Sequence, residues 1–286
     1  MLTSTSIKPT TLNSDSGHTV AGFPIVEQSA SVISNDWVNG EYRHLVVSCR
    51  PPATNGAPGQ FFHLLCPSSS SETPYLRRPM SIYATDPERG TVEFLYKVTG
   101  AGTRGLAQLG ADDHLSILGP LGIGFRLEQT WRSIVVVGRG VGLATLAPLA
   151  SMARQHGIAV TAILSARSPE LLMSVDAFEK QGAAVLTVTD VEGNSNMTNV
   201  EQLLRSLVND NKADAFFTCG SHRLTVLLQK LGRAMGIPGQ VALEQQMACG
   251  LGMCFCCVKA FRSKEKIEQR RVCLDGPVFD IAEALP

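Results

Sequence analysis

Residues 134–142 read Ile-Val-Val-Val-Gly-Arg-Gly-Val-Gly, a short apolar run that enters a glycine-rich turn. The stretch that follows, through Ala144, Leu146 and Leu149, has the apolar spacing of a helix. A buried strand, a tight turn and a helix in this order are typical of a phosphate-binding turn, because glycine permits close backbone approach and a helix N-terminus offers free N–H groups. The spacing is G-x-G-x-G and not the full dinucleotide fingerprint, so a purely structural strand-to-helix turn is also compatible with it.

Downstream of this turn, apolar strands continue to alternate with segments of helical length. This alternation predicts a parallel sheet with crossover helices, which we place at residues 129–240 as a nucleotide-binding α/β domain. The predicted strands are Ile134 to Val137, Ala159 to Ser165, Ala183 to Thr189 and Ala215 to Cys219.

The candidate nicotinamide nucleotide contacts are Gly138, Gly140 and Gly142 in the turn, with Cys219 and Gly220 at the carboxyl edge where ligands of such sheets collect. A packing role is the alternative for Cys219. Residues 165–168, Ser-Ala-Arg-Ser, supply no carboxylate for an adenosine ribose, so NAD(H) and NADP(H) both stay open. Arg167 could meet a 2′-phosphate, stack on adenine or remain solvated.

Upstream, residues 19–128 consist of short β-rich runs broken by Gly and Pro turns, which predicts an antiparallel β-barrel. The glycine-rich turn at 119–125 is a predicted domain junction. The predicted strands include Tyr42 to Cys49, Gln60 to Cys66, Met80 to Ala84, Val92 to Val98 and His114 to Leu118.

Two segments of the predicted barrel carry groups suited to a flavin nucleotide. In Arg78-Pro79-Met80-Ser81, the guanidinium could clasp a pyrophosphate and the serine hydroxyl could bond a flavin ring edge. In residues 95–103, Leu95-Tyr96-Lys97 forms a strand, and the following loop with Gly102-Thr103 could hold phosphate oxygens. As an isolated motif, Arg78 would be compatible with an ordinary surface residue.

The most specific signal is the spacing of four late cysteines, Cys249-x4-Cys254-x2-Cys257, with fifteen residues before Cys273. This is the spacing of plant-type [2Fe–2S] sites, in which four thiolates complete two tetrahedral irons. Structural zinc is the alternative, although such sites commonly use paired C-x2-C knuckles. We interpret residues 241–286 as a cluster module, since so short a piece rarely stabilises itself by burial alone. Cys256 is expected to be a non-ligand, because adjacent residues do not easily turn towards one cluster.

Composition excludes several other classes of protein. The 286 residues include 25 basic and 25 acidic side chains, so no global field draws the chain to nucleic acid or an anionic membrane. No apolar run approaches the length of a membrane span, and residues 1–18 are expected to be a flexible, Ser/Thr-rich leader. Because five of the eight cysteines lie between Cys249 and Cys273, metal binding and a cytoplasmic location are expected in preference to a secreted disulfide framework.

In this order, the motifs resemble the ferredoxin–NADP reductase-like flavoproteins, and within them the iron–sulfur electron-transfer subunits of type B dihydroorotate dehydrogenases. The resemblance covers residues 20–286: the R-P-x-S motif, the stretches at 95–97 and 102–103, the G-P-L-G-x-G-F turn at 119–125 and the cysteine tail. It implies FAD on the barrel and Cys249, Cys254, Cys257 and Cys273 as cluster ligands. Arg139 stands where the family usually has a small residue, and Cys256 where it often has alanine.

By this resemblance, the chain relays electrons between a nicotinamide nucleotide, FAD and the cluster, in a hetero-oligomer with a catalytic flavin-containing subunit. A dihydroorotate dehydrogenase-type partner implies a role in pyrimidine biosynthesis. Similar subunits serve other oxidoreductases, and a stand-alone NAD(P)H reductase is a further alternative. A zinc-stabilised nucleotide-binding module without turnover is the non-enzymatic alternative.

Overall fold

The computed structural model describes residues 25–69, 71–264 and 266–285, so the predicted leader at residues 1–18 lies outside the described part. The described N-terminal half forms an antiparallel sheet of seven strands in the order β4-β3-β7-β1-β2-β6-β5. Its elements are β1 (Val26–Trp37), β2 (Tyr42–Ser48), β3 (Phe61–Leu64), β4 (Arg78–Ser81), β5 (Ala84–Asp86), β6 (Thr91–Lys97), α1 (Ala101–Leu106) and β7 (His114–Leu121). The chain passes from edge strand β4 to edge strand β5 through two residues only, so the sheet must curl onto itself.

Alternating side chains of these strands fill the inside of the curled sheet, with Phe62 against Phe94 at 5.7 Å between ring centroids. One polar side chain, Asn35 on β1, is buried among them. Its Nδ2 donates to the carbonyl oxygens of Leu106 at 2.8 Å and Leu109 at 3.0 Å, and its Oδ1 accepts from the Tyr96 hydroxyl at 3.0 Å. Asn35 therefore ties β1 to β6 and to the end of α1.

The second sheet has six strands in the order β10-β9-β8-β11-β12-β15, and all neighbours are parallel except the last pair. Its strands and helices are β8 (Ser133–Arg139), α2 (Gly142–Gln155), β9 (Ala159–Ala166), α3 (Val175–Lys180), β10 (Ala184–Thr189), α4 (Met197–Asn209), β11 (Ala215–Cys219), α5 (His222–Met235) and β12 (Gly239–Ala242). Alternate residues of β8 enter two cores: Ile134 and Val136 join the core of α2 and α3, whereas Val135 and Val137 join that of α4 and α5. Helices therefore cover both faces of the sheet.

The C-terminal segment folds as β13 (Val258–Ser263), β14 (Lys266–Arg271), the single turn α6 (Val272–Asp275) and β15 (Val278–Asp280). Phe261 packs against Phe279 at 4.2 Å between centroids, inside a core shared with α5. Strand β15 pairs antiparallel with β12, with Ala242 opposite Val278. The module is therefore stabilised by the parallel sheet as well as by its own small core.

The predicted fold class, with an antiparallel barrel, an α/β domain and a small C-terminal module, is confirmed by this architecture. The residue boundaries of the parts stay a prediction, and β12 spans the one at residue 240. The sequence interpretation did not identify β1, whose twelve residues are mostly polar and of which only Ala30, Val32 and Asn35 are buried. No helix in the described part is long and apolar enough to cross a bilayer.

We predict that Asn35→Ala lowers the free energy of unfolding of the barrel by about 3 kcal/mol, because two carbonyls and a hydroxyl lose buried partners. Tyr96→Phe, which removes one of these bonds, should cost about 1 kcal/mol. Urea unfolding measures both, with hydrogen exchange locating the loss in the seven-stranded sheet. The control Asn209→Ala, at the exposed end of α4, should change the free energy by less than about 0.5 kcal/mol. Equal effects at positions 35 and 209 would contradict the assignment.

Candidate functional site

A cavity of about 790 Å³ lies where the curled sheet, the parallel sheet and the cysteine segment meet. Strand β4 provides one wall, residues 95–97 of β6 a second, and the first turn of α2 a third. Residues 243–247 and Cys256 close the remaining side. A volume of this size falls within the range of cofactor-binding clefts, and each of the three parts contributes to its wall.

Strand β4 places all four residues of the predicted flavin motif, Arg78 to Ser81, on this cavity. Arg78 lies over Gly102, where an added Cβ would come within 2.8 Å of the guanidinium Nε. The Arg78 guanidinium donates to the backbone carbonyl of Leu76, which turns the side chain back over its own strand. The structure thus brings the predicted pyrophosphate clasp and the glycine of the following loop into direct contact.

The other predicted flavin contacts differ in what they present to a ligand. Tyr96 borders the cavity, but its ring is buried in the barrel core and its hydroxyl is bound to Asn35. The Lys97 ammonium is paired with Glu41 at 2.7 Å. Thr103 uses its hydroxyl to accept from the backbone N–H groups of Thr99 and Gly100, which closes the turn before α1. The hydroxyl groups of Tyr96 and Thr103 are therefore engaged within the protein. At these positions the backbone is the part that can contact a ligand.

The glycine turn after β8 lies beside the cavity, with Val141, Ala144 and Thr145 on its wall. Gly140 has φ of +57°, the left-handed region that glycine adopts at no steric cost. Gly142 packs against the end of β11, where an added Cβ would come within 2.5 Å of the Cys219 carbonyl oxygen. The turn at 138–142 and the end of β11 at 219–220 therefore meet in one glycine surface, in which Gly140 and Gly220 are accessible and Gly138 and Gly142 are buried.

A chain of polar side chains crosses from the barrel to the parallel sheet, and the sequence interpretation identified only two of its members, Ser81 and Cys219. The Thr145 hydroxyl donates to Ser81 Oγ at 2.9 Å. Thr145 also lies beside the Cys219 thiol, whose pKa burial and the nearby Glu244 raise to about 12. The Glu244 carboxyl stands between the main cavity and a smaller one of about 260 Å³, and desolvation by the surrounding walls raises its pKa. In the sequence, the only sign of Glu244 is that a single acid stands between an apolar strand and the cysteines.

Two arginines at the carboxyl edge of the parallel sheet are already paired with carboxylates. Arg139 makes a two-pronged ion pair with Asp190, at 3.1 and 2.7 Å, and donates to Ser165 Oγ at 2.9 Å. Hydrogen bonds from Arg139 and Ser195 lower the pKa of the Asp190 carboxyl. Arg167 is paired with Glu41, which the barrel contributes. The carboxylates that pair with these arginines therefore come from the residue after β10 and from the β1–β2 loop.

The four cysteines of the predicted cluster site lie in one loop and one following turn. Their thiols form two neighbouring pairs, Cys249 with Cys254 and Cys257 with Cys273. Cys257 and Cys273 are buried, whereas Cys249 is half-buried and Cys254 is exposed. Among the described residues, no three Cys, His, Asp or Glu side chains converge tightly enough to surround a single metal ion.

Backbone amides are directed at the sulfur atoms of this loop. The amide of Leu251 donates to Cys249 Sγ at 3.3 Å, and that of Gly252 donates to Cys273 Sγ at 3.2 Å. Although desolvation opposes it, hydrogen bonds from the backbone amides of residues 254, 251 and 253 lower the pKa of the Cys249 thiol to about 6. Such a nest of N–H groups suits a negatively charged sulfur cluster. Cys256 instead directs its Sγ at the Gln246 carbonyl oxygen, 3.8 Å away on the cavity side.

Comparisons with known proteins agree with this geometry. Residues 244–284 match the model of the iron–sulfur cluster binding domain of dihydroorotate dehydrogenase B. The chain is 32% identical over 261 residues to the electron transfer subunit of dihydroorotate dehydrogenase B (NAD(+)) from Caldanaerobacter subterraneus subsp. tengcongensis, covering 91% of this chain and 98% of the relative. The corresponding subunit from Desulforamulus reducens is 31% identical over 222 residues, or 78% of this chain and 84% of the relative.

Among solved structures, the NADH-dependent reduced ferredoxin-NADP oxidoreductase superposes with a TM-score of 0.74 at 24% identity, covering 89% of this chain and 88% of the other. The ferredoxin reductase of carbazole 1,9a-dioxygenase gives a TM-score of 0.59 at 20% identity, over 75% of this chain and 67% of the other. These two likenesses support the ferredoxin reductase-like fold. Together with the sequence identities, they show that the chain belongs to the family of dihydroorotate dehydrogenase B electron transfer subunits.

Proposed function

We propose that this chain is the electron-transfer subunit of an oxidoreductase, relaying electrons between NAD(H), FAD and a [2Fe–2S] cluster to or from a catalytic dihydroorotate dehydrogenase subunit. The observation that carries the proposal is the shared cavity. Its wall includes the predicted flavin strand β4, the nucleotide turn at the start of α2 and Cys256 of the cysteine loop. Three groups held by these elements would lie next to one another, as an electron relay requires.

Each part of the chain has a separate task in this proposal. Arg78 binds the FAD pyrophosphate, Ser81 bonds the ring edge, and Thr145 orients the Ser81 hydroxyl from the neighbouring domain. The glycine surface at 138–142 and 219–220 admits the nicotinamide nucleotide. When bound, FAD converts a two-electron hydride into single electrons that a one-electron cluster can carry.

The two thiol pairs fit a binuclear cluster, because each iron of a [2Fe–2S] centre takes two thiolates. Cys257 and Cys273 would hold the iron on the buried side, and Cys249 and Cys254 the iron nearer the surface. Cys256 stays a non-ligand in this proposal, since its sulfur is turned towards Gln246. Free thiols throughout the described chain suit the reducing cytoplasm, where we propose the complex works.

An exposed apolar surface around the cysteine loop supports a docking role for this side of the module. Met253 is 77% exposed and Phe255 62% exposed, and Leu251 and Leu274 flank them. The Arg271 guanidinium lies 5.3 Å from the centre of the Phe255 ring. Clustered apolar side chains beside an exposed cluster ligand are suited to a partner that exchanges electrons there. We propose that the catalytic subunit covers this surface.

The relatives are named as NAD(+) enzymes, and the charges at the nucleotide edge favour the same choice here. Asp190 neutralises Arg139 and Glu41 neutralises Arg167, so neither guanidinium is free to bind a 2′-phosphate. A phosphate at this edge would also be repelled by the two carboxylates. We therefore propose NAD(H) as the physiological nucleotide.

Anaerobically purified protein should contain flavin and about two irons and two acid-labile sulfides per chain. Cys257→Ala should lose the cluster because it removes a buried ligand, whereas the matched Cys256→Ala should keep iron and sulfide at the wild-type level. Elemental analysis and visible absorption measure both. Zinc in place of iron, with no sulfide, would show that the proposed relay does not exist.

The charge change Phe255→Glu should abolish co-purification with the catalytic subunit of the same organism while leaving flavin and iron contents unchanged. Ile33→Glu, on an exposed residue of β1, serves as the control and should leave the complex intact. Size-exclusion chromatography of co-expressed subunits measures the result. A stable complex between the Phe255→Glu variant and the catalytic subunit would contradict the proposed docking surface. Full turnover with free acceptors in the absence of that subunit would contradict it as well.

Removing the Asp190 charge with Asp190→Asn should free Arg139 for a 2′-phosphate. We expect the ratio of kcat/KM for NADH over that for NADPH to fall at least about tenfold, equivalent to about 1.4 kcal/mol. Asp210→Asn makes the same charge change at the far end of α4 and should leave the ratio unchanged. Steady-state kinetics at fixed ionic strength measure this ratio. An unchanged ratio in the Asp190→Asn variant would refute the charge argument.

A further inference from the structure

His63, in the middle of β3, is a buried titratable residue that the proposed relay leaves unused. Its side chain is fully buried, and neither ring nitrogen has a hydrogen-bond partner among the described residues. An unpaired buried polar group costs free energy, and the great majority of such groups in proteins are paired. Two orphaned nitrogens on one imidazole therefore call for a hydrogen-bond partner outside the described residues.

The ring of His63 is directed at the cysteine loop. A Cβ added to Gly250 would come within 3.0 Å of both Cε1 and Nε2 of the imidazole, and within 3.2 Å of Cδ2. The edge that carries Nε2 thus faces the residue directly after Cys249. Gly250 also has φ of +70°, so glycine is required there both by the backbone conformation and by the space that the imidazole occupies.

The surroundings keep this imidazole neutral. Burial, with the nearby Arg77 guanidinium, lowers the pKa of His63 to about 4. A neutral imidazole carries one N–H donor, which needs an acceptor. The backbone amides of the loop are donors themselves, to the Cys249 and Cys273 sulfur atoms, so they cannot accept this hydrogen. Sulfur is the acceptor that the loop offers.

His63 also lies beside the predicted flavin strand. Its Cα pairs with Pro79 of the Arg78-to-Ser81 motif across β3 and β4, and its ring lies 5.7 Å from that of Phe61 between centroids, tilted by 54°. Phe61 lines the main cavity. A bond from His63 to the cysteine loop would therefore connect the flavin strand to the cluster.

We infer that His63 Nε2–H donates a hydrogen bond to a sulfur at the Cys249 corner of the [2Fe–2S] cluster, and so acts as a positioning residue that raises the cluster's reduction potential. The inference rests on the proposed function, since it requires the cluster. Donors to cluster sulfurs stabilise the reduced, more negative state, which is why hydrogen bonding is one of the protein's means of setting such potentials.

The first test is an EPR-monitored redox titration of the purified protein. His63→Leu removes the donor and should make reduction of the cluster about tenfold less favourable, which lowers the potential of a one-electron couple by about 59 mV. His63→Gln retains an N–H group at similar reach and should restore most of the difference. Leu118→Ala is the packing control: Leu118 is the cross-strand neighbour of His63 in β7 and carries no donor, so its potential should match the wild type.

The second test uses unsubstituted protein, so it remains decisive even if position 63 tolerates no change. Pulsed EPR on reduced protein labelled with ¹⁵N-histidine should show a weak ¹⁵N coupling to the cluster. Absence of this coupling, or a His63→Leu potential equal to the wild type, overturns the inference while iron and sulfide analysis still supports the relay. Absence of iron and sulfide from the wild type would instead remove the proposed function itself.

Discussion

The pairing of β12 with β15 is the constraint on which the rest of the molecule depends. These two short strands hold the two ends of the cysteine segment side by side, and the Leu243 amide donates to the Pro277 carbonyl oxygen at 2.9 Å where the segment leaves the sheet. The turn after β7 joins the same place, because the Ile123 amide donates to Gly276 and Ile123 in turn accepts from Val278. One edge strand therefore connects the curled sheet, the parallel sheet and the cysteine loop.

The main cavity is a consequence of that constraint. Its walls come from elements far apart in the chain, so neither sheet could form it alone. The hydrogen bond between Ser81 and Thr145, and the contact of Thr145 with Cys219, cross the junction between the two sheets. A polar connection of this kind fixes the orientation of the sheets and places hydroxyl groups where a bound ligand can use them.

Charge is arranged around the nucleotide edge in a similar way. Arg139 ends β8 and Arg167 follows β9, whereas their carboxylate partners Asp190 and Glu41 follow β10 and belong to the barrel, respectively. Arg139 departs from the small residue usual in its family, and the structure gives the reason that it is tolerated. Its guanidinium is held by Asp190 at the sheet edge, and Gly140 beside it stays accessible.

Sequence patterns were sufficient to predict those features that depend on residues close together in the chain. The cysteine spacing could be interpreted because three predicted ligands lie within nine residues, and the parallel strands because each is a continuous apolar run. Strand β1 could not be identified, since its outward residues are polar and its pairing partners are distant. Asn35 carries no local signal, and Glu244 only a weak one, because their importance arises from burial and from the neighbours that folding supplies.

The sequence by itself determined the order of the three parts, the presence of a cluster signature and the family to which the chain is similar. Tertiary structure alone decided what those motifs face: that the Tyr96 hydroxyl is bound within the barrel core, that two arginines are neutralised from other elements, and that the His63 ring is directed at Gly250. The physical reason is that spacing and hydrophobic period act over a few residues, whereas burial, ion pairing and cavity shape depend on residues that only the folded chain brings together.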